Sequence, residues 1–323
     1  MSEKTTVGIV QARPVSMNLD ASIALAEDLI RQAAREGAKL IVFGETWLPG
    51  YPAWLDHSPH AALWNHEPTK NVFAQLRRNS IVVPCKETNR LGEVARQYSI
   101  VLVIGVNERV EEGAGNGTLY NSLLTFGADG TLLNHHRKLV PTYTERLVWG
   151  QGDGAGLEAV TTANGRVGGL VCWEHWMPLA RQAMHTSGED IHVAVFPTVH
   201  EMHQIASRHY AFEGRCFVLA AGLIMKAGDL PAQLMTAEVG AKPETLLLRG
   251  GSCIIAPNGS YVVEPVFDEE TIITAELDLT LIDKEKMTLD VTGHYFRPDV
   301  FDFKLNRGSR ESRPNCNPTP RKD

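Results

Sequence analysis

The sequence predicts a layered α/β sandwich with mixed sheets. Three observations carry that expectation. Short β-branched apolar runs end at polar residues, amphipathic stretches of helical period lie between them, and turn signals close hairpins. The chain has 323 residues, 43% of them hydrophobic and 21% charged, enough to bury a sizeable core without disulfides.

The elements follow in order. Val7, Ile9 and Val10 alternate as a strand. Asn18 caps a helix to about Glu36, with Leu25/Leu29 and Ile30/Ala33/Ala34 spaced as one face, and Gly37 stops it. Leu40-Ile41-Val42-Phe43 is a buried strand that ends at Gly44-Glu45. The Pro-, Trp- and His-rich stretch 47–66 has no clear period and reads as a pocket rim. A helix is expected over 88–98 and a buried strand over 100–106. Strands 122–126 and 132–136 flank the turn Ala128-Asp129-Gly130, with Lys138 just beyond. Gly165–Val171 is a strand ending at Cys172, followed by a helix with Trp176, Leu179, Ala180, Ala183 and Met184 on one face. Strand 191–196, helix 201–214 and strands 217–221, 253–256, 261–264 and 272–277 complete the pattern. Pro257-Asn258-Gly259-Ser260 is a hairpin turn. With no repeat or linker, residues 1–306 are expected to form a single domain. The Pro- and Arg-rich stretch 307–323 is expected to be a disordered tail.

Composition excludes several functions. Thirty-one Lys+Arg against 38 Asp+Glu give a net charge of −7, so neither nucleic acid nor an anionic membrane is an expected partner. No apolar run approaches the roughly 20 residues of a membrane span. Met1-Ser2-Glu3-Lys4 lacks the character of a signal peptide, and a cytoplasmic location is expected. Five cysteines, odd in number and without a C-x-x-C pair, argue against a disulfide framework and a Cys-rich zinc site. His200-Glu201-Met202-His203 is not the H-E-x-x-H of zinc proteases, and His209 does not complete it. Gly150, Gly152, Gly154 and Gly156 do not sit between a strand and a helix. No metal and no cofactor are expected.

Three polar residues follow apolar strands directly: Glu45, Lys138 and Cys172. Strand ends are where α/β proteins gather functional groups. A thiol at a strand-to-helix junction faces free backbone N–H groups, which are expected to lower its pKa and to hold a developing anion. A buried structural cysteine would satisfy the local pattern equally well. Glu45 could be a solvated or capping carboxylate, and Lys138, within His135-His136-Arg137-Lys138, part of a solvated basic face.

The segments around Glu45, Lys138 and Cys172 resemble, in order, the three signatures of the nitrilase superfamily of carbon-nitrogen hydrolases. The resemblance spans residues 7–301. Cys172-Trp173-Glu174-His175 is similar to the true nitrilase branch. So are Arg137-Lys138-Leu139-Val140-Pro141-Thr142, Glu145-Arg146, Trp149-Gly150-Gln151-Gly152-Asp153-Gly154 and Gly293-His294-Tyr295-Phe296-Arg297-Pro298-Asp299. Gly44, where many relatives have Pro, and Phe296, where they often have Ala or Ser, depart from the pattern. The C-terminal tail looks short for the branch.

The resemblance implies a four-layer α-β-β-α sandwich and a homodimer or larger homo-oligomer, in some relatives a spiral. It implies Cys172 as nucleophile, Glu45 as general base, Lys138 as electrostatic stabiliser and Glu145 as a second glutamate near them. The implied substrates are a small-molecule nitrile and water. Tyr51, Trp54, Tyr143, Trp173, His175, Pro197 and Thr198 are the pocket candidates. An amidase or N-carbamoyl hydrolase with the same triad, a cyanide dihydratase, a silent binding protein and a metallohydrolase are the competing readings.

Overall fold

A computed structural model describes residues 3–113 and 115–308. The first half contains β1 (Lys4–Gln11), α1 (Leu19–Arg35), β2 (Leu40–Phe43), α2 (Trp54–His57), α3 (Glu67–Arg78), α4 (Lys86–Tyr98), β3 (Val101–Arg109), β4 (Leu119–Phe126) and β5 (Leu132–Arg137). The second contains β6 (Val160–Thr162), β7 (Gly165–Val171), α5 (Pro178–Ser187), β8 (Ile191–Val195), α6 (Glu201–Gly214), β9 (Phe217–Ala221) and β10 (Ile224–Lys226). It ends with α7 (Ala237–Gly240), β11 (Leu246–Ile255), β12 (Tyr261–Phe267), β13 (Thr271–Asp278) and α8 (Thr280–Lys286).

The strands form two mixed sheets. One has the order β13-β1-β2-β3-β4-β5; the other runs β10-β11-β9-β8-β7-β6, with β12 paired to β11. In each, three central strands are parallel: β1, β2 and β3, and β7, β8 and β9. The twofold alternation of strand side chains divides their residues between two cores. Val7, Ile9, Leu40, Val42, Val101 and Val103 join Val171, Val193 and Leu219 between the sheets. Val10, Ile41, Phe43, Leu102 and Ile104 meet Ile23, Ile30, Leu91 and Val94 from α1 and α4. On the far side, Ala183 and Met184 of α5 and Tyr210 and Ala211 of α6 pack against the second sheet. The result is the expected four-layer α-β-β-α sandwich. Strands buried on both faces explain why the sequence shows continuous apolar runs rather than alternation.

Most elements match their expected positions. Asn18 Oδ1 accepts from Ala21 N at 3.1 Å, capping α1. Two differences have physical causes. The helix α3 was not expected, because it buries only Val72 and Leu76 and so lacks a readable apolar stripe. The single helix expected after Cys172 is instead two pieces. A 3₁₀ turn covers Cys172–Trp176, Met177 is extended, and α5 starts at Pro178. The residue before a proline is sterically pushed out of the helical region, which breaks the period. Leu179 therefore lies 71% exposed, while Ala180, Ala183 and Met184 are buried. Phe303 and Leu305 pack on the core, and Arg307 pairs with Glu158 at 2.8 Å at the start of the stretch expected to be a tail. The rest of that stretch, 309–323, lies outside the described residues. Among the described residues, no helix is long and apolar enough to cross a membrane.

One buried ion cluster fixes the end of β5. Glu108 accepts from Ser122 at 2.6 Å, faces His135 Nε2 at 2.8 Å and pairs with Arg137. Burial alone would raise its pKa, but the bonds from His135 and Arg137 outweigh it and hold the carboxyl at about 2. The folded value lies below the ordinary 4.5, so this stabilisation is complete above about pH 4.5 and is lost as pH falls toward 2. Thermal melts of Glu108→Gln are expected to give a lower Tm at neutral pH, because Arg137 loses its buried partner. Between pH 4.5 and 2 the variant should lose stability less steeply than the wild type.

Candidate active site

Glu45 stands two residues past the end of β2, 0% exposed. Its backbone lies against β3 at Gly105, where a Cβ would stand 2.3 Å from the Gly44 carbonyl oxygen and 2.9 Å from Glu45 Cα. Only glycine permits this approach. Lys138 follows β5 directly, its N–H donating to Asn121 O on β4 at 2.8 Å. Glu145 sits in a 3₁₀ turn, Tyr143–Leu147. Cys172 ends β7 with φ +53°, in the left-handed region, and opens the next 3₁₀ turn. Such a backbone costs about 1–3 kcal/mol for a residue with a side chain and persists only where its surroundings over-determine it.

These four side chains meet at one place. Lys138 Nζ donates to Glu45 Oε1 at 3.0 Å and to Glu145 Oε2 at 2.6 Å. Asn121 Nδ2 donates to the same Glu45 oxygen at 2.6 Å, while Glu45 Oε2 is buried without a partner among the described residues. Glu145 Oε2 also accepts from Thr142 N at 2.7 Å, and its Oε1 from the Tyr51 hydroxyl at 2.9 Å. Cys172 feels the charges of Glu45, Lys138 and Glu145, and the Trp173 N–H donates to its sulfur.

The electrostatics follow from two carboxylates sharing one ammonium out of water. Burial pushes the Glu45 carboxyl up; Lys138 opposes this and Glu145 adds to it, leaving it at about 7. Burial disfavours the Lys138 charge, but Glu45, Cys172 and Glu145 outweigh it and raise its pKa. The thiol departs from the expectation of a lowered pKa. Burial and the Glu45 charge raise it well above its ordinary value, and Lys138 and the Trp173 N–H only partly oppose them. In the resting molecule the sulfur is a neutral thiol beside a carboxyl group near its own midpoint.

Glu174 ties the thiol to the lysine. Its carboxylate accepts from Val171 N at 2.7 Å, from Leu139 N at 2.7 Å and faces His136 Nε2 at 2.9 Å. It therefore spans from the end of β7 to the end of β5.

A cavity of about 420 Å³ opens onto Cys172 and Glu145. Of the pocket candidates, Tyr51, Tyr143, Trp173, Pro197 and Thr198 line it. Two do not. Trp54 is 1% exposed in the core outside the first sheet, because its helix turns the indole inward. His175 points away from the cavity, its ring beneath the Cys172 carbonyl and against His192. His200, from the segment 196–200 that also supplied Pro197 and Thr198 as candidates, lines the cavity too, whereas Asn121 and the lining residues Asp56, His57, His203, Leu247 and Leu248 were not expected. Asn121 stands in β4 beside the polar Ser122, and no local sequence signal distinguishes it.

The carbon-nitrogen hydrolase family model matches residues 6–286. The chain belongs to that family and is a hydrolase acting on carbon–nitrogen bonds. It is 41% identical over 305 residues to an aliphatic nitrilase of Sinorhizobium fredii, covering 94% of this chain and 96% of that one. It is 37% identical to a bifunctional nitrilase/nitrile hydratase of Lupinus angustifolius, covering 91% and 84%. Its fold is similar to a carbon-nitrogen hydrolase structure from Helicobacter pylori G27, with a TM-score of 0.69, 19% identity and coverage of 92% and 96%.

Both Glu174 oxygens receive backbone N–H bonds, so a glutamine must turn an N–H toward another N–H. Glu174→Gln is expected to lower stability by about 1–3 kcal/mol. Turnover should fall with it. Chemical denaturation and turnover assays check both.

Proposed function

We propose that this protein is a nitrilase, hydrolysing an organic nitrile to the carboxylic acid and ammonia. The observation that carries the proposal is a buried thiol and a carboxyl with a free oxygen, Glu45 Oε2, gathered around one buried ammonium beside the cavity. The choice of nitrile over amide is supported by relatives named nitrilase along nearly the whole chain.

In this reading Glu45 takes the Cys172 proton as the sulfur attacks the nitrile carbon. The proton passes to the substrate nitrogen, giving a thioimidate. Lys138 and the Trp173 N–H stabilise the charge that develops. Water then adds, its proton taken through Glu45, and ammonia leaves a thioester. A second water, activated in the same way, releases the acid and restores the thiol. Glu145 keeps Lys138 charged and oriented, and itself stays anchored by Tyr51 and Thr142. All steps use side chains and water. Tyr51, Tyr143, Trp173, Pro197 and Thr198 form the substrate wall, and amide release is the side path that the lupin relative's name suggests.

The finer organisation belongs to the same proposal. Residues 1–306 act as one catalytic domain, supported by the family match over 6–286. Exposed Leu179, Met202 and Ile205 on α5 and α6 support pairing of protomers through that layer. The four free cysteines among the described residues support a reducing compartment, the cytoplasm.

Cys172→Ala should abolish ammonia release from a nitrile panel while the melting curve is kept; surviving turnover would overturn the mechanism. Glu45→Gln should lower kcat by about 10²–10⁴-fold. A raised carboxyl pKa means the base is protonated below it, so kcat/KM should fall as pH drops through about 7. Assaying acid, amide and ammonia together separates nitrilase from amidase: consumption of amides but not nitriles would reject the nitrilase reading.

A further inference from the structure

Beneath the proposed nucleophile lies a second set of buried titratable groups that the hydrolysis does not use. His175, His192 and Glu189 are 1%, 0% and 3% exposed. His175 Nδ1 lies 2.6 Å from the Cys172 carbonyl oxygen, and its Nε2 lies 2.9 Å from His192 Nε2. His192 Nδ1 lies 2.7 Å from Glu189 Oε1, and the Tyr210 hydroxyl donates to Glu189 Oε2 at 2.5 Å. Gly168 on β7 makes room for this carboxyl, since a Cβ there would stand 2.1 Å from Glu189 Oε1.

The hydrogen-bond directions constrain where the protons sit. A carbonyl oxygen only accepts, so His175 Nδ1 carries a proton. The two facing Nε2 atoms hold one proton between them. With both rings neutral, His192 Nε2 is the donor and His192 Nδ1 has only its lone pair. Glu189 must then bring the proton that joins them. The other arrangements place an imidazolium on His192 or on His175, with Glu189 as a carboxylate.

Other charged and titratable groups surround the chain. Arg181 donates to the His175 carbonyl at 3.1 Å and to Glu213 at 2.7 Å, and His185 faces Glu213 at 3.1 Å. Glu174 and His203 lie on the His175 side, and Cys216 on the Tyr210 side. Arg181 and Glu213 pair with one another, and Glu174, whose charge favours a proton on His192, is tied to His136 and to the Leu139 and Val171 N–H groups. Burial pushes Glu189 up to about 7 and His175 down to about 3, and holds His192 well below its ordinary value. A bond from the acid to a ring nitrogen favours the neutral acid further.

We propose that Glu189 is a carboxylic-acid donor, and that the chain Glu189–His192–His175 holds the Cys172 carbonyl and with it the left-handed backbone of the nucleophile. His175 and Glu189 are positioning residues, since neither lines the cavity. The inference rests on Cys172 being the nucleophile.

Glutamine reproduces a neutral acid at this place, its N–H donating to His192 and its carbonyl oxygen accepting from Tyr210. Glu189→Gln should therefore keep kcat within about threefold, whereas Glu189→Ala should lose about 100-fold in kcat with KM nearly unchanged. Alkylation of Cys172 by iodoacetamide should slow in parallel in Glu189→Ala. Nitrogen-15 NMR of histidine-labelled full-length protein should show neutral His175 protonated on Nδ1 and neutral His192 protonated on Nε2. An imidazolium signature at His192 or at His175 would overturn the proposal. So would a folded Glu189→Gln as impaired as Glu189→Ala, or a Glu189→Ala with unchanged kcat. If Glu189→Ala does not fold, the glutamine variant and the tautomers still decide. Turnover surviving in Cys172→Ala would overturn the parent reading instead, and the tautomers are read on the resting protein without reference to it.

Discussion

The site depends on one ammonium, that of Lys138, buried between two carboxylates. A lone ammonium at this depth would be neutral, and a lone Glu45 would be a neutral acid. Glu145 makes the arrangement tolerable. Its carboxylate is held by Lys138, by the Thr142 N–H and by the Tyr51 hydroxyl, so it can stay anchored beside the ammonium. Glu45 has fewer partners. One of its oxygens accepts from Lys138 and Asn121 and the other from nothing. The asymmetry assigns different work to two chemically identical groups.

The fold serves that arrangement by fixing the ends of three strands. β2, β5 and β7 deliver Glu45, Lys138 and Cys172, and the last comes from a different sheet than the first two. Packing between sheets sets distances only to within the slack of apolar contacts. Directional bonds remove that slack. Gly105 lets the Glu45 backbone close on β3, Glu108 anchors the residues before Lys138, and Glu174 joins the lysine's strand to the turn of the thiol.

Much of this was readable from sequence, for a physical reason. Parallel strands buried on both faces produce uninterrupted apolar runs, so a charged residue following one stands out. Glu45 was legible in that way; Lys138, which follows the polar end of the antiparallel β5, was singled out by the family resemblance. The thiol's location was legible as well, but its protonation was not, because its pKa depends on burial and on a carboxylate far away in sequence. Trp54 shows the opposite failure: an aromatic in a rim-like segment was assigned to the pocket, while its short helix turns it into the core. Asn121 and Glu189 act through partners in distant segments or on other elements, and no local period marks them. The 3₁₀ break at Met177 was implicit in Pro178, whose effect on the preceding residue outranks the apolar spacing.

A neutral resting thiol is consistent with a thiol mechanism. A permanent thiolate would be a third anion around one ammonium, and burial makes that arrangement costly. Holding sulfur as a thiol beside a carboxyl near pH 7 lets the proton move as the new bond forms. In the proposed mechanism the negative charge then appears on substrate nitrogen rather than resting on sulfur. Lys138 is already charged and needs no reorganisation to meet it. The strained Cys172 backbone serves the same end, because it aims the sulfur into the cavity while its carbonyl turns back toward His175. In their proposed roles, the ion cluster above the thiol and the histidine chain below it are complementary: one sets where the proton goes, the other where the sulfur stands.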